Sequence, residues 1–191
     1  MHRIWIAKAV EDRLSGQSMT AIGRYVRRMI HNVHERAIAA PVHKAGTLID
    51  SLSSKNDRLW PRDGWPAMRL DGPLAVGASG GHGPVRYFVV SYEPGRRVEF
   101  EFTGPTGFNG YHSFSAVTSA ENLTLLRHEL RISPSGAAMI TWPIFIRPLH
   151  DALIEESLDR AEQECGVSPD SRSRRSLWVK ILRATFSIRT A

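Results

Sequence analysis

The stretch from Ser135 to Cys165 constrains the fold more than any other part of the chain. Apolar residues recur in it at steps of roughly three to five residues, which places them along one side of a helix. They are Ile140, Ile144, Phe145, Leu149, Leu153, Ile154, Leu158 and Ala161. Acidic residues fall mostly between them and predict a solvated face, formed by Glu155, Glu156, Asp159, Glu162 and Glu164. A helix with so wide an apolar stripe needs a sheet or another helix beneath it.

Two prolines interrupt this stretch. Pro143 and Pro148 each lack a backbone N–H, and each should kink the helix or delay its start. The sequence therefore predicts a helix from about Pro148, and it leaves open a kinked turn beginning at Ser135. Gly166 ends the run.

The residues before this helix supply a sheet. Six segments have the alternation or the β-branched and aromatic content of strands, at 29–40, 70–79, 85–93, 96–104, 111–119 and 123–133. A seventh strand between Trp60 and Leu74 is left open. Short links between consecutive strands indicate an antiparallel meander, and one polar and one apolar face indicate a sheet covered on one side. Between the first two strands, residues 41–52 have helical spacing, and residues 53–65 predict a second short helix and a loop.

Composition and charge narrow the class of protein. One cysteine, Cys165, excludes an internal disulfide, and no apolar run approaches the roughly 20 residues of a membrane span, so a cytoplasmic protein is expected. The net charge of +6 lies in the termini: residues 1–28 hold six basic and two acidic residues, and residues 166–191 hold six and one. The middle is therefore mildly acidic and predicts no specific nucleic-acid binding.

This distribution predicts three parts. A basic extension covers residues 1–28, a folded domain covers residues 29–165, and a basic amphipathic tail covers residues 166–191. The tail could lie on an anionic membrane through residues 172–189, but packing on the acidic body is favoured. The sequence leaves open whether the protein forms a homodimer.

The order of elements resembles a known fold. In AIAAPVHKAGTLIDSL (37–52) a strand runs straight into a proline-started helix, and GPLAVGASGGHGPVRYFVVSYEPGRRVEFEF (72–102) resembles a pair of central hairpins. Together with the long helix, these segments resemble the helix-grip fold of the START/polyketide-cyclase/birch-pollen-allergen (SRPBCC) superfamily. The resemblance implies an α+β fold in which a curved antiparallel sheet of six or seven strands wraps around the C-terminal helix. It also implies an apolar cavity that binds lipids, sterols, polyketides or plant hormones, or, in a minority of members, performs cyclisation, dehydration or hydrolysis.

Two local motifs suggest other chemistry and fail on context. Gly77–Gly81 matches the G-x-S-x-G pattern of a hydrolase, but another strand follows where the nucleophile elbow requires a helix. His34-Glu35 begins like a zinc-binding H-E-x-x-H motif, but Ile38 occupies the last position. No other group of residues has metal-ligand spacing, so we expect neither a metal nor a cofactor.

The candidate site residues are therefore those expected to face the cavity. His112 and His128 lie on the apolar faces of two hairpin strands, where they could bind a polar group of a ligand or, with Tyr111, act in catalysis. The alternative for each histidine is a structural role. The other ligand-binding candidates are large apolar residues, namely Trp60, Trp65, Phe88, Phe100, Phe102, Tyr111, Phe114, Trp142 and Phe145.

Three hypotheses follow. The leading one is a protein that binds an apolar or amphipathic small molecule, such as a lipid or polyketide, between the sheet and the long helix. The second is an enzyme of the cyclase or dehydratase type that uses the cavity histidines. The third is a protein that acts at a membrane or nucleic-acid surface through its basic tails.

Overall fold

The structure is a computed structural model that describes residues 29–168 and 172–185. Within these residues the sheet has seven strands. The strands are β1 (Ile30–Ile38), β2 (Arg69–Leu70), β3 (Ser79–His82), β4 (Val85–Glu93), β5 (Arg97–Gly104), β6 (Gly110–Ala120) and β7 (Leu123–Ile132). The helices are α1 (Val42–Asp50), α2 (Ala138–Thr141), α3 (Arg147–Glu164) and α4 (Leu177–Thr185), and a π-helical turn (Trp142–Ile146) joins α2 to α3. We call the run from α2 to α3 the long helix.

The sheet is antiparallel throughout, with the strand order β1-β7-β6-β5-β4-β3-β2. The predicted meander and the α+β helix-grip fold are therefore confirmed. The short strand β2 lies in the interval where the sequence left room for a seventh strand. The core lies between one face of the sheet and the long helix, where Tyr87, Phe100 and Phe114 of the sheet and Ile154 and Leu158 of the helix are almost fully buried.

The strand predicted over residues 70–79 is wrong, because a loop divides it into β2 and β3. Two hydrogen bonds between Asp71 and Ser79 close this loop. The backbone N–H of Asp71 donates to the carbonyl of Ser79, and Asp71 Oδ1 accepts from the N–H of Ser79 at 2.9 Å. Gly77 within the loop has a φ of +90°, which a glycine adopts without strain. The G-x-S-x-G segment thus ends this loop and begins β3, and no helix follows it.

The second short helix predicted within residues 53–65 does not form, and turns take its place. Ser53 has a φ of 63°, which takes the chain out of the helical path after α1. The buried carboxylate of Asp57 then accepts hydrogen bonds from the backbone N–H groups of Ser53, Leu59 and Trp60 at 2.8–3.0 Å. These bonds satisfy donors that a helix would have satisfied, so the segment is stable as a series of turns.

The long helix starts well before Pro148, and the prolines distort it rather than delay it. The N–H of Arg147 donates to the carbonyl of Trp142, five residues earlier, which makes the π-helical turn. Pro148 has no N–H to give to the carbonyl of Ile144. The indole Nε1 of Trp178 in α4 donates to that carbonyl instead, at 2.9 Å.

Of the acidic residues predicted to form a solvated face of the long helix, Glu164 is exposed, but two others are not. Asp159 and Glu162 are buried, and both accept hydrogen bonds from Arg36 of β1. The same guanidinium donates to Glu155 at 2.9 Å. We call this contact between β1 and α3 the polar seam. The spacing of residues in a helix, taken alone, predicts that charged residues face solvent. Here the edge strand β1 places the guanidinium of Arg36 opposite these carboxylates, so they are buried instead.

The tail packs on the body less completely than its pattern predicted. Val179 and Leu182 of α4 are buried, whereas Leu177, Trp178 and Ile181 remain exposed by 74%, 43% and 45%. Phe186, the next large apolar residue of the tail, lies outside the described residues, as does the predicted extension 1–28. None of the helices in residues 29–168 and 172–185 is long and apolar enough to cross a membrane.

The polar seam predicts a strong effect of Arg36. We expect Arg36→Met to lower the free energy of unfolding by about 3 kcal/mol, because it leaves buried carboxylates without a cation. Chemical denaturation monitored by circular dichroism measures this. The control is Arg127→Met, which removes an exposed pair with Glu35 and should cost at most about 1 kcal/mol. Equal losses in the two variants would contradict the importance of the seam.

The hydrogen bond from Trp178 predicts a coupling with Pro148. We expect Trp178→Phe to lower the free energy of unfolding by about 1 kcal/mol, because the Ile144 carbonyl loses its donor. In a Pro148→Ala background the backbone N–H of residue 148 can take that place, so the same change should cost less. Urea denaturation of the four proteins of this cycle measures the coupling. Equal losses in both backgrounds would contradict it.

Candidate functional site

A cavity of about 170 Å³ lies between the sheet and the long helix. Its wall comes from the hairpin β3–β4, from β5, β6 and β7, from the loop between β5 and β6, and from the long helix, including its π-helical turn. Almost all of the wall surface is carbon. The cavity thus occupies the place that the sequence predicted for it.

Several of the predicted ligand-binding residues line this cavity, and they come from distant parts of the chain. They are Trp60, Trp65, Phe102, His112, His128 and Trp142. Trp60 and Trp65 are held in the turns that follow α1, where their indole N–H groups donate to the carbonyl of Pro66 and to Glu156 at 2.9 Å. These bonds fix the indoles with their apolar rings toward the cavity.

The other predicted residues lie elsewhere. Phe100 and Phe114 are fully buried in the core beside the cavity. Phe88 and Tyr111 alternate with the inward residues of their strands, and Tyr111 is 42% exposed. Phe145 lies against Trp178, with ring centroids 6.4 Å apart. Tyr111 is therefore not brought together with the two candidate histidines.

His112 and His128 do meet. Phe114 pairs with His128 across the β6–β7 ladder and His112 pairs with Leu130, so the two imidazoles are diagonal neighbours on the inner face, with centroids 5.7 Å apart. His112 stacks between Phe100 and Phe102, at 4.8 Å from each. Within the described part of the chain, His112 Nε2 and His128 Nδ1 are buried and have no hydrogen-bond partner.

Two further histidines of the cavity were missed by sequence reasoning. His82 ends β3, and its Nδ1 lies 3.1 Å from the hydroxyl of Tyr87. His150 sits in α3, 5.1 Å from His128 between ring centroids, and its Nε2 is buried without a partner. Its place could have been inferred from the apolar spacing, since it lies four residues before Ile154.

Burial governs the protonation of these imidazoles. Burial lowers the pKa of His82 to about 3 and holds the pKa values of His112 and His128 well below the ordinary value, with a smaller contribution from neighbouring histidines. Burial likewise raises the pKa of Tyr87, so its hydroxyl stays protonated beside His82. At neutral pH the cavity therefore presents neutral rings.

Next to the cavity, and sharing His150 with its wall, the polar seam brings together a second group of titratable side chains. His34 lies between two carboxylates, with its Nε2 3.2 Å from Asp151 and its Nδ1 2.6 Å from Glu155. His150 Nδ1 lies 3.3 Å from the same Asp151 oxygen. His34 and Asp151 are 117 residues apart in the chain, so sequence spacing gave no sign of this group.

Comparisons with known proteins identify the fold through structure alone. No family model and no curated protein matches the sequence. A solution structure of a protein from Thermobifida fusca matches with a TM-score of 0.57 at 16% identity, over 76% of this chain and 99% of that one. CalU16 from Micromonospora echinospora matches with a TM-score of 0.52 at 14% identity, over 81% and 82%.

A third match is the di-domain ARO/CYC BexL from the BE-7585A biosynthetic pathway, with a TM-score of 0.57 at 14% identity. It covers 86% of this chain and 61% of that one, which is less than two thirds of the di-domain protein. These matches confirm the resemblance to SRPBCC proteins at the level of the fold. At such low identities they establish no activity.

The buried imidazoles predict a pH dependence. The unfolded chain takes up protons on His82 and His112 below about pH 6.5, whereas the folded protein does not until far lower pH. Stability should therefore fall as pH drops below 6.5, by about 1.4 kcal/mol per pH unit for each ring. Urea denaturation at pH 7.5, 6 and 5 measures this slope.

The variant that checks this prediction is His112→Phe, which should flatten the acid slope. The matched control is Phe114→Leu, which alters another fully buried ring of β6 but removes no titratable group. An unchanged slope in His112→Phe would contradict the prediction.

Proposed function

We propose that the protein binds an apolar small molecule of single-ring size, bearing a hydroxyl or carbonyl group, in the cavity between the sheet and the long helix. The observation that carries this proposal is the carbon-lined cavity of about 170 Å³. A void of this size forfeits packing contacts, and a ligand restores them. An apolar wall also holds water poorly, because a buried water needs two to four polar partners.

Volume limits the size of the ligand. An apolar protein cavity of about 150 Å³ binds benzene, whereas sites for drug-sized ligands span about 300–1,000 Å³. The cavity therefore suits one ring with small substituents. A lipid or polyketide, which the fold resemblance implies, would fit only with one end inside.

The unpartnered nitrogens support a polar group on that ligand. Three histidines of the wall carry one each, at His112 Nε2, His128 Nδ1 and His150 Nε2. A buried polar atom without a partner costs about 1–3 kcal/mol. Rotation of an imidazole about its soft terminal torsion would turn a nitrogen to the cavity surface, where a ligand oxygen could bond to it.

The test uses two probes that differ by a polar group, p-xylene and p-cresol. Trp60, Trp65 and Trp142 line the cavity, so their fluorescence reports binding. We expect both probes to bind one per chain, and p-cresol to bind about fivefold more tightly through a hydrogen bond to an imidazole. His128→Leu should remove that preference.

Two further variants make this test decisive. Leu130→Trp fills the cavity and should abolish binding of both probes, whereas Phe88→Leu, which alters a residue outside the cavity wall, should change neither affinity. Failure of both probes to bind the parent protein would overturn the proposed function. Equal affinity for the two probes would overturn the role of the imidazoles.

A second candidate function is acid–base catalysis of the cyclase or dehydratase type. The observation in its favour is that His112 and His128 converge, with ring centroids 5.7 Å apart, inside an apolar cavity. Catalysis needs groups that converge on one site, and two neutral imidazoles meet that requirement. Turnover of a β-ketothioester by the parent and not by His112→Phe would favour this function; no turnover would leave binding as the function.

A further inference from the structure

The polar seam contains a cluster of possible metal ligands that is not needed to explain the fold or the proposed ligand binding in the cavity. His34 of β1 and His150 and Asp151 of α3 each offer one ligand atom, and these three atoms lie within 4.8 Å of one another. Two imidazoles and one carboxylate form a donor set typical of divalent transition metals such as zinc. This cluster does not depend on what occupies the cavity.

The nitrogen atoms around one carboxylate oxygen of Asp151 are arranged as the ligands of a bound cation would be. One oxygen, Oδ1, has three nitrogens close to it: Asn32 Nδ2 at 3.1 Å, His34 Nε2 at 3.2 Å and His150 Nδ1 at 3.3 Å. The two imidazole distances are close to the roughly 3.4 Å that separates neighbouring ligand atoms of a tetrahedral zinc site. A dication that replaced the two imidazole protons would bind all three ligand atoms with little rearrangement.

Glu155 and Arg36, which lie next to the cluster, orient one of its imidazoles. His34 Nδ1 lies 2.6 Å from Glu155, and Arg36 holds Glu155 at 2.9 Å. A metal-bound histidine usually gives its other ring N–H to a carboxylate, which fixes its orientation. His34 already has this arrangement, with Nε2 toward the cluster and Nδ1 toward the carboxylate.

The charge of the seam also favours a cation. Within the described residues, four carboxylates of α3 along the seam face two guanidinium groups. The carboxylates belong to Asp151, Glu155, Asp159 and Glu162, and the guanidinium groups belong to Arg36 and Arg147. Arg147 approaches Asp151 from its other oxygen, Oδ2, at 3.4 Å, so it leaves Oδ1 to the imidazoles.

We infer that His34, His150 and Asp151 bind one divalent transition metal ion of the zinc class, with Glu155 orienting His34. His150 would then couple the metal to the cavity, because it also belongs to the cavity wall. A metal on Nδ1 leaves the ring proton on Nε2. That nitrogen, which is buried without a partner, is then a hydrogen-bond donor on a residue of the cavity wall.

The test is zinc titration of tag-free, chelator-treated protein by calorimetry. We expect one Zn²⁺ per chain, and a loss of affinity of about tenfold or more in Asp151→Asn and in His34→Gln. The matched control is His31→Gln on the same strand. His31 forms a similar pair with Glu129 at 2.6 Å but belongs to no such group of ligands within residues 29–168 and 172–185, so its loss should leave the affinity unchanged.

A second measurement needs no variant. Co²⁺ added to the parent protein should shift or broaden the ring-proton signals of His34 and His150 in the NMR spectrum far more than those of His31. Binding of less than one Zn²⁺ per chain, equal affinity in Asp151→Asn and the parent, or equal effects of Co²⁺ on His31 and His34 would each overturn the inference. The binding of p-xylene is measured separately, so a failed metal site leaves the proposed function standing.

Discussion

Arg36 donates hydrogen bonds to three carboxylates of α3, and the position of the long helix over the sheet depends on this contact. The seam fixes one side of the helix against β1, at the edge of the sheet. The apolar side of the helix then faces the middle strands, where side chains from β5, β6 and β7 enclose the cavity together with it. In this interface the polar contact at the edge of the sheet thus orients the helix, and the apolar contact in the middle encloses the cavity.

The irregular start of the long helix serves the same arrangement. A π-helical turn carries Trp142 and Ile146 into the cavity wall, and Pro148 lies two residues after its end. Pro148 cannot donate a hydrogen bond to the carbonyl of Ile144, and the indole of Trp178 donates to it instead. The proline in the long helix thus provides the acceptor that binds α4. The C-terminal segment is also held by Arg175, which bonds to Glu156 beside Trp65. The basic tail is therefore joined to the structural elements that form the cavity.

Sequence patterns predicted the parts of this molecule that depend on local periodicity. Alternation along β6 and β7 placed His112 and His128 on the inner face, where the structure has them. Sequence patterns gave wrong predictions where a side chain distant in the chain changes the environment of a residue. The acidic residues of α3 were predicted to be solvated because Arg36 lies more than a hundred residues away in the chain, and the turns around Asp57 depend on one buried carboxylate.

The charges that hold the helix also affect how the sheet meets its surroundings. β1 is a nine-residue strand with one edge unpaired within the sheet, and such edges can template pairing with other chains. His34 and Arg36 point inward from this edge, so an added strand would have to pack beside charges that are already engaged with α3. At the opposite edge, β2 offers only two residues. Both ends of the sheet are thus poor templates, which protects a long antiparallel sheet from growing into aggregates.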